Sequence, residues 1–170
     1  MLNYLKPIAW LSLILLPLFM TGCKNIETYY QGYNAESEST TPLTRGKNQQ
    51  GRWKTFDIDL NYRYDHAENL LKISGTIDLG FYYEVNAVMI NRLDVYLFFL
   101  DDSGKVIKTA ALLRALPFEV EESLTFSKDL HVPPGIEAIS FGYNGEARRS
   151  GDRGGDGVET FYDLPKRVKP

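Results

Sequence analysis

Strict alternation of apolar and polar residues is the feature that most limits how this chain can fold. Apolar side chains occupy every second position at Phe56, Ile58, Leu60, Tyr62 and Tyr64. Asp57 and Asp59 fall between them and are expected on a solvent-facing side. Successive side chains of a β-strand point to opposite faces of the sheet. The pattern therefore predicts a strand with one buried face and one wet face.

A second alternating row follows, with apolar residues at Leu71, Ile73, Ile77 and Leu79. The polar stretch 65–69 separates the two rows and is expected to be a loop, which would place His66 at the surface. Two alternating rows joined by a short polar segment predict an antiparallel hairpin.

The stretch Leu93–Leu100 is apolar at nearly every position, so both of its faces should be buried. Such a strand is typically central in a sheet and covered on both sides. Either a second layer of the domain or a partner must cover the outer face, which carries Tyr96, Phe98 and Leu100. The residues 101–104, Asp-Asp-Ser-Gly, then supply turn chemistry.

Residues 105–116 are compatible with two structures. Ala110, Ala111, Leu112 and Leu113 are good helix formers. A tight turn after a strand, however, most often begins the second strand of a hairpin. The strand is therefore favoured and the helix stays open as the alternative.

Further alternating rows lie at 124–130, 139–143 and 158–164, separated by turns such as Pro133-Pro134-Gly135. Seven or eight short strands with regular turn signals predict an all-β fold. We expect an antiparallel β-sandwich that is immunoglobulin-like in general architecture.

The N-terminus has a different character. Lys6 gives the first residues a positive charge, the run Pro7–Met20 is apolar, and Thr21, Gly22 and Cys23 follow. A charged start, an apolar middle and small residues before a cut are the three parts of a secretory signal. The apolar run is shorter than the roughly 20 residues of a membrane-spanning helix, so a removable signal helix is the expectation.

The segment Met20-Thr21-Gly22-Cys23 resembles the lipobox of bacterial lipoproteins. Met20 departs from the usual leucine but keeps an apolar side chain. The resemblance implies cleavage between Gly22 and Cys23 and attachment of acyl chains such as palmitate to Cys23. Lys24, rather than an aspartate, follows the cysteine, which in this class points to the outer membrane, with the domain facing the periplasm.

Four segments are expected: a signal peptide at 1–22, the lipidated Cys23 with a flexible tether to residue 52, a sandwich domain at 53–165, and a tail at 166–170. The tether is assigned because few of its residues could build a core. The three tyrosines Tyr29, Tyr30 and Tyr33 are its exception, and they either dock on the domain or sit at the membrane interface.

Charge and cysteine content narrow the function classes. Loss of the signal removes one of the 19 basic residues and none of the 22 acidic ones, so the mature chain is acidic. An acidic domain does not fit a nucleic-acid partner. Cys23 is the single cysteine, so the exported domain must be held by its apolar core without a disulfide.

No residue pattern supports catalysis, a cofactor or a metal. His66 and His131 lack ligand spacing. The glycine-rich stretch 151–157 carries Asp152 and Asp156 but matches no complete calcium motif, and it is expected to be a surface loop. Glu119 and Glu121 are expected on the wet face of a strand, with Glu122 beside them, and Arg148 with Arg149 in a solvated turn.

Aromatic residues are the remaining candidates for binding. Tyr82 and Tyr83 follow Gly80 at a strand end, where exposed tyrosines could stack on sugars or anchor a protein. The favoured hypothesis is a non-catalytic, lipid-anchored envelope protein that binds a protein partner or forms part of an envelope assembly. A carbohydrate- or peptidoglycan-binding module using both tyrosines is the first alternative, and an enzyme is the second.

Overall fold

The alternating rows form two antiparallel sheets that pack face to face, which confirms the predicted β-sandwich. The computed structural model describes residues 26–36, 39–149 and 157–167. Within these residues the elements are α1 (Ile26–Tyr29), β1 (Thr41–Pro42), β2 (Gly46–Lys54), β3 (Ile58–Ala67), β4 (Leu70–Leu79), α2 (Phe81–Asn86), β5 (Ala87–Leu100), β6 (Val106–Ala115), β7 (Leu124–His131), β8 (Ala138–Arg149) and β9 (Val158–Asp163). Neither helix in this part of the chain has the length and apolar character to cross a membrane.

One sheet has four strands in the order β2-β3-β4-β7. The other has five strands. Four of them follow the order β1-β8-β5-β6, and the fifth, β9, pairs with the part of β8 that the short β1 does not reach. All of these pairings are antiparallel.

The core lies between the sheets and is built from the inward-pointing rows. On the four-stranded side, the row predicted for β3 supplies Ile58, Leu60, Tyr62 and Tyr64, all of which are buried. The inward residues of β5 meet them from the other sheet, among them Leu97 and the equally buried Val95 and Phe99. Burial of these rows provides most of the favourable free energy of folding.

The prediction that 93–100 is buried on both faces is confirmed, because every residue of this stretch is buried. β5 is central, with β8 on one side and β6 on the other. Its outward residues Tyr96, Phe98 and Leu100 form a second apolar cluster with Val106. Ile26, Tyr30 and Ala35 cover this cluster, so the chain's own N-terminal segment supplies the missing layer.

The predicted flexible tether is therefore wrong over most of its described length. Residues 26–36 pack on the five-stranded sheet, and β2 starts at Gly46, ahead of the expected boundary at Trp53. The sequence pattern did not predict β2 before Trp53, because β2 is an edge strand and Trp53 is its one buried residue. Its attachment comes from backbone hydrogen bonds to β3, which a polar sequence makes as well as an apolar one.

The expected loop 65–69 is also shorter than predicted. β3 continues to Ala67 and β4 starts at Leu70, so the turn consists of Glu68 and Asn69. Glu68 takes the left-handed backbone conformation that this tight turn requires, with φ of 53°. His66 consequently lies inside the strand on its inward row, where it is buried rather than exposed.

The predicted row also fails at its start. Phe56 is exposed, and Asp57 is not on the wet face, because both lie in a turn before β3. The hydroxyl of Thr55 accepts hydrogen bonds from the backbone N–H groups of Asp57 (3.2 Å) and Ile58 (3.1 Å). This side-chain-capped turn interrupts the alternation, which resumes at Ile58.

The strand alternative for 105–116 is confirmed as β6. The turn before it forms as expected: the Asp101 carboxylate accepts hydrogen bonds from the backbone of Ser103 and Lys105, both at 2.9 Å. Glu119 and Glu121 are exposed as predicted, but they lie in the turn region between β6 and β7 rather than on a strand. Glu122 lies beside them and is exposed too.

Candidate binding surfaces

The predicted tyrosine pair lies on α2, a helix of six residues at the end of the sandwich where β4 leads into β5. Gly80 precedes it, and a Cβ there would come within 2.2 Å of the Phe56 carbonyl oxygen. The chain can therefore cross closely over the 55–57 turn. Tyr83 points into the core and is only 2% exposed, whereas Tyr82 is half-buried. Tyr83 is thus unavailable to a ligand at the surface, which corrects that part of the expectation.

Tyr83 has a structural task instead. Its hydroxyl donates a hydrogen bond to Asp57 Oδ1 at 3.1 Å, and the Tyr143 hydroxyl donates to Asp57 Oδ2. The Thr55 hydroxyl donates to the Tyr143 oxygen at 3.3 Å. One carboxylate therefore joins the 55–57 turn, α2 and β8.

Burial raises the pKa of both Tyr83 and Tyr143, and the neighbouring Asp57 carboxylate raises it further. Both phenols therefore remain neutral hydrogen-bond donors around neutral pH. Their hydrogen bonds to Asp57 stabilise the end of the sandwich.

The surface at this end is apolar. Phe81 on α2 is 76% exposed, Phe56 in the neighbouring turn is 74% exposed, and Val85 is 62% exposed. The ring of Phe56 lies 5.7 Å from that of Tyr82. We call these four residues, Phe56, Phe81, Tyr82 and Val85, the aromatic tip.

Charged side chains border the aromatic tip. The Arg149 guanidinium lies 5.4 Å from the centre of the Tyr82 ring and forms an ion pair with Glu159 at 2.6 Å. The Tyr82 hydroxyl donates to the same glutamate at 3.4 Å. Arg149 is therefore engaged with its neighbours rather than standing in a solvated turn. An apolar centre with a polar rim is the usual anatomy of a protein-binding surface.

The outward face of the four-stranded sheet is a second surface with the opposite character. It contains a shallow depression of about 420 Å³. The depression is lined by Gln50, Asn61, Tyr62, Arg63, Ser74, Gly75, Thr76, Thr125 and Phe126. Seven of its nine lining residues carry an amide, hydroxyl or guanidinium group, and apolar atoms make up the larger part of the exposed lining. We call this surface the polar trough.

The rest of this face carries charges of both signs. Arg52 Nε donates to Asp59 Oδ1 at 2.7 Å, and this hydrogen bond holds the pKa of Asp59 below its usual value. Lys72 pairs with Asp129 at 3.7 Å. Such balanced charge does not favour a strongly charged ligand.

The two histidines differ. His131 is exposed at the end of β7, and its Nε2 lies 3.1 Å from the Asn69 amide nitrogen. His66 is buried, and neither ring nitrogen has a hydrogen-bond partner among the described residues. Across the same part of the chain, no group of three or more histidine, cysteine or acidic side chains is placed to hold a metal ion.

Four residues singled out from the sequence lie outside the described part of the chain: Gly22 and Cys23 at the expected cleavage site, and Asp152 and Asp156 in the glycine-rich stretch. Among the described residues, sequence reasoning missed Phe56 and Phe81 as surface groups. It missed Phe81 because a single helical turn gives no periodic signal, and it missed Phe56 because the residue continues the alternating row of β3.

Comparisons with known proteins add no relationship. No protein-family profile, curated protein or solved structure matches the chain. Function must therefore be argued from the residues and from the two surfaces.

Proposed function

We propose that this chain is a lipid-anchored protein of the bacterial cell envelope whose β-sandwich binds a protein partner without catalysis. The anchor is acyl chains on Cys23, and the membrane is the outer membrane, with the domain in the periplasm. The binding surface is the aromatic tip. The observation that carries the binding proposal is the exposure of Phe56 and Phe81 at this end of the sandwich, together with the contact of the Phe56 ring with Tyr82.

The anchor is supported by the order of residues from Lys6 to Cys23, which resembles a lipoprotein signal. Two or three acyl chains hold a protein durably, because each buried methylene contributes about 0.8 kcal/mol. Cys23→Ser should abolish acylation and leave an uncut precursor, as judged by mass spectrometry of the membrane fraction. A Cys23→Ser variant that is still processed and acylated would contradict the anchor.

The choice of membrane rests on Lys24. Lys24→Asp should move the protein from outer-membrane to inner-membrane fractions of a density gradient, since aspartate at this position is the retention signal of the class. Lys24→Arg is the matched control and should leave the distribution unchanged. An identical distribution for the Lys24→Asp and Lys24→Arg variants would contradict the localisation.

The partner is inferred from the chemistry of the tip. Large apolar side chains exposed together on a soluble domain mark interaction sites, and aromatic anchors carry much of the binding energy of protein interfaces. The rim ion pair of Arg149 and Glu159 lies where it can set the orientation of a partner. The partner should therefore present an apolar pocket with polar groups at its edge.

A photo-crosslinking side chain at position 81 tests the tip in living cells. It should yield a discrete crosslinked protein, whereas the same group at Thr76, on the opposite kind of surface, should not. Phe56→Ser should remove the crosslink made at position 81 without lowering stability by more than about 0.5 kcal/mol, because the residue is exposed. Equal crosslinking from both positions would count against the tip.

The polar trough favours a second candidate, the binding of a glycan strand such as peptidoglycan. Its hydroxyl and amide groups suit a polyhydroxylated ligand, although it offers few aromatic rings for stacking. Asn61→Ala should weaken co-sedimentation with peptidoglycan, and Phe81→Ser should leave it intact. If neither variant changes sedimentation, the trough is not a glycan site.

A further inference from the structure

The described part of the chain begins close in sequence to the proposed anchor. Ile26, the first residue of α1, is three residues after Cys23. Consecutive Cα atoms are 3.8 Å apart, so the Cα atoms of these two residues are separated by at most about 11 Å. The tether of about 30 residues expected from the sequence would have allowed about 30 Å.

Residues 26–36, which we call the N-terminal segment, cover the outer apolar cluster of the five-stranded sheet with side chains and pair through their backbone with the edge strand β6. Backbone hydrogen bonds join Gly32 N to Val106 O (2.8 Å) and Val106 N to Tyr33 O (2.9 Å). Asn34 exchanges two backbone bonds of 2.9 Å with Lys166, near the other end of the chain. Tyr30 packs its ring 5.5 Å from that of Phe98.

We infer that the outer face of the five-stranded sheet lies against the lipid surface and that the polar face of the four-stranded sheet points away from it. The inference rests on the proposed acylation of Cys23. Stacked layers are about 10 Å apart, so the polar face lies about 20 Å from the N-terminal segment. This distance exceeds the reach of the acylated residue.

Exposed apolar residues outside the aromatic tip also occur on the face of the five-stranded sheet that carries the N-terminal segment. Phe161 points into the core, so its neighbours on β9 alternate outward, and Tyr162 (67% exposed) and Val158 lie on the side of the N-terminal segment. Tyr29 on α1 is also exposed there. Tyrosine suits the membrane interface because its ring is apolar and its hydroxyl is polar. The described outward positions of β2, β3, β4 and β7 are instead polar, apart from the strand-end residues Ala67 and Leu70.

This orientation places the two candidate surfaces differently. The polar trough opens into the periplasm. The aromatic tip lies at one end of the strands, so it faces sideways along the membrane. A partner that meets the tip should therefore be held near the same membrane.

Site-specific labels can test the orientation, because an acylated Cys23 leaves no competing thiol in the chain. Acylated Tyr162→Cys and Thr76→Cys proteins, cut before Cys23, would carry a fluorescent label in phosphatidylethanolamine–phosphatidylglycerol vesicles with headgroup-attached quenchers. We expect several-fold stronger quenching at position 162 than at position 76. Equal quenching, or stronger quenching at 76, would overturn the orientation.

Mass spectrometry of the same samples distinguishes a failure of the proposed orientation from a failure of the proposed anchor. Acylated protein without the asymmetry refutes the orientation alone, whereas protein without acyl chains refutes the proposed anchor and the orientation with it. A Gly/Ser insertion of about ten residues after Lys24 adds about 17 Å of reach. It should lower the quenching at 162 toward that at 76, and unchanged quenching would show that tether length does not set the orientation.

Discussion

The outer faces of the two sheets differ in what covers them. On the five-stranded sheet, Phe98 and Leu100 point outward and are fully buried beneath the N-terminal segment. On the four-stranded sheet, the outward positions of β3 and β4 carry polar residues such as Asn61 and Thr76, and these remain exposed. Among the described residues, one sheet thus has a third layer on its outer face and the other does not.

The difference shows what a local sequence pattern can and cannot predict about contacts with distant parts of the chain. Strict alternation in β3 records a strand with one neighbouring layer. The continuous apolar run of β5 indicates two neighbouring layers, but it does not identify the residues that provide the second layer. Here they come from Tyr30 and its neighbours, which precede β5 by more than fifty positions.

The largest expected effect comes from placing the same charge on each outer face. Phe98→Asp buries a carboxylate without a partner and should cost about 4 kcal/mol or more, a large share of the roughly 5–15 kcal/mol that stabilises a typical domain. Thr76→Asp is the matched change on the wet face and should shift stability by no more than about 0.5 kcal/mol. Urea denaturation of both soluble domains measures the contrast. Similar losses would mean that the N-terminal segment does not cover Phe98 in solution.

The sandwich was predictable because most of its strands bury one complete row of side chains, as in Ile58, Leu60 and Tyr62. β2 was not, because an edge strand is held by backbone hydrogen bonds and leaves little trace in its side chains. The N-terminal segment was missed for a related reason. It contributes a few apolar residues among many polar ones, so its composition resembles that of a tether.

The candidate surfaces were less predictable than the fold. Tyr83 and Phe56 exchanged their expected places, since the Thr55-capped turn ends the alternation and α2 turns Tyr83 inward. The polar trough depends on which strands become neighbours. Thr76 and Thr125 lie opposite each other on β4 and β7, and no local sequence pattern predicts that pairing.

The second prediction removes the cover itself. Tyr30→Ala deletes the ring that packs against Phe98 and should cost about 1–3 kcal/mol, since the ring is only partly buried. It should also increase binding of an apolar dye, because the outer cluster becomes accessible. Tyr30→Phe keeps the ring and should lose much less. A Tyr30→Ala domain as stable as the parent would indicate that the segment is not a structural layer.

The third prediction uses pH to loosen the same contact. Burial raises the pKa of Tyr30 to about 12, with a further contribution from Tyr96. Because the folded-state pKa lies above the ordinary value, the stabilising contribution is complete below about pH 10 and is lost as the pH rises through about 12. Urea denaturation at about pH 9 and about pH 11.5 measures the loss.

Other buried tyrosines, among them Tyr83 and Tyr143, share this direction, so the variant Tyr30→Phe is needed to isolate one residue. The Phe variant should lose less stability over the same pH interval than the parent. The effect should be smaller than that of Tyr30→Ala, because an ionised ring keeps some of its contacts. Identical pH dependence of parent and Phe variant would rule out this role for Tyr30.

The smallest expected effect compares one ion pair on each outer face. Lys72 and Asp129 lie on the polar face, at 3.7 Å and largely exposed, so their coupling in a double-mutant cycle should be below about 1 kcal/mol. Asp94 lies on the outer row of β5, is buried, and accepts a hydrogen bond from Arg114 at 2.6 Å. Water screens the largely exposed first pair, whereas the Asp94 carboxylate is largely shielded from water and depends on Arg114 and on Arg92, whose Nε lies 3.6 Å from it.

Alanine substitutions of each pair, singly and together, should therefore give clearly stronger coupling for Asp94 with Arg114. The exposed pair should lose its coupling in high salt, and the pair at Asp94 should retain most of it, since salt screens exposed charges more effectively. Coupling of equal size and equal salt dependence would mean that the outer face of the five-stranded sheet is as open to water near Asp94 as the polar face is. The difference between the two faces would then be confined to the apolar cluster under Tyr30.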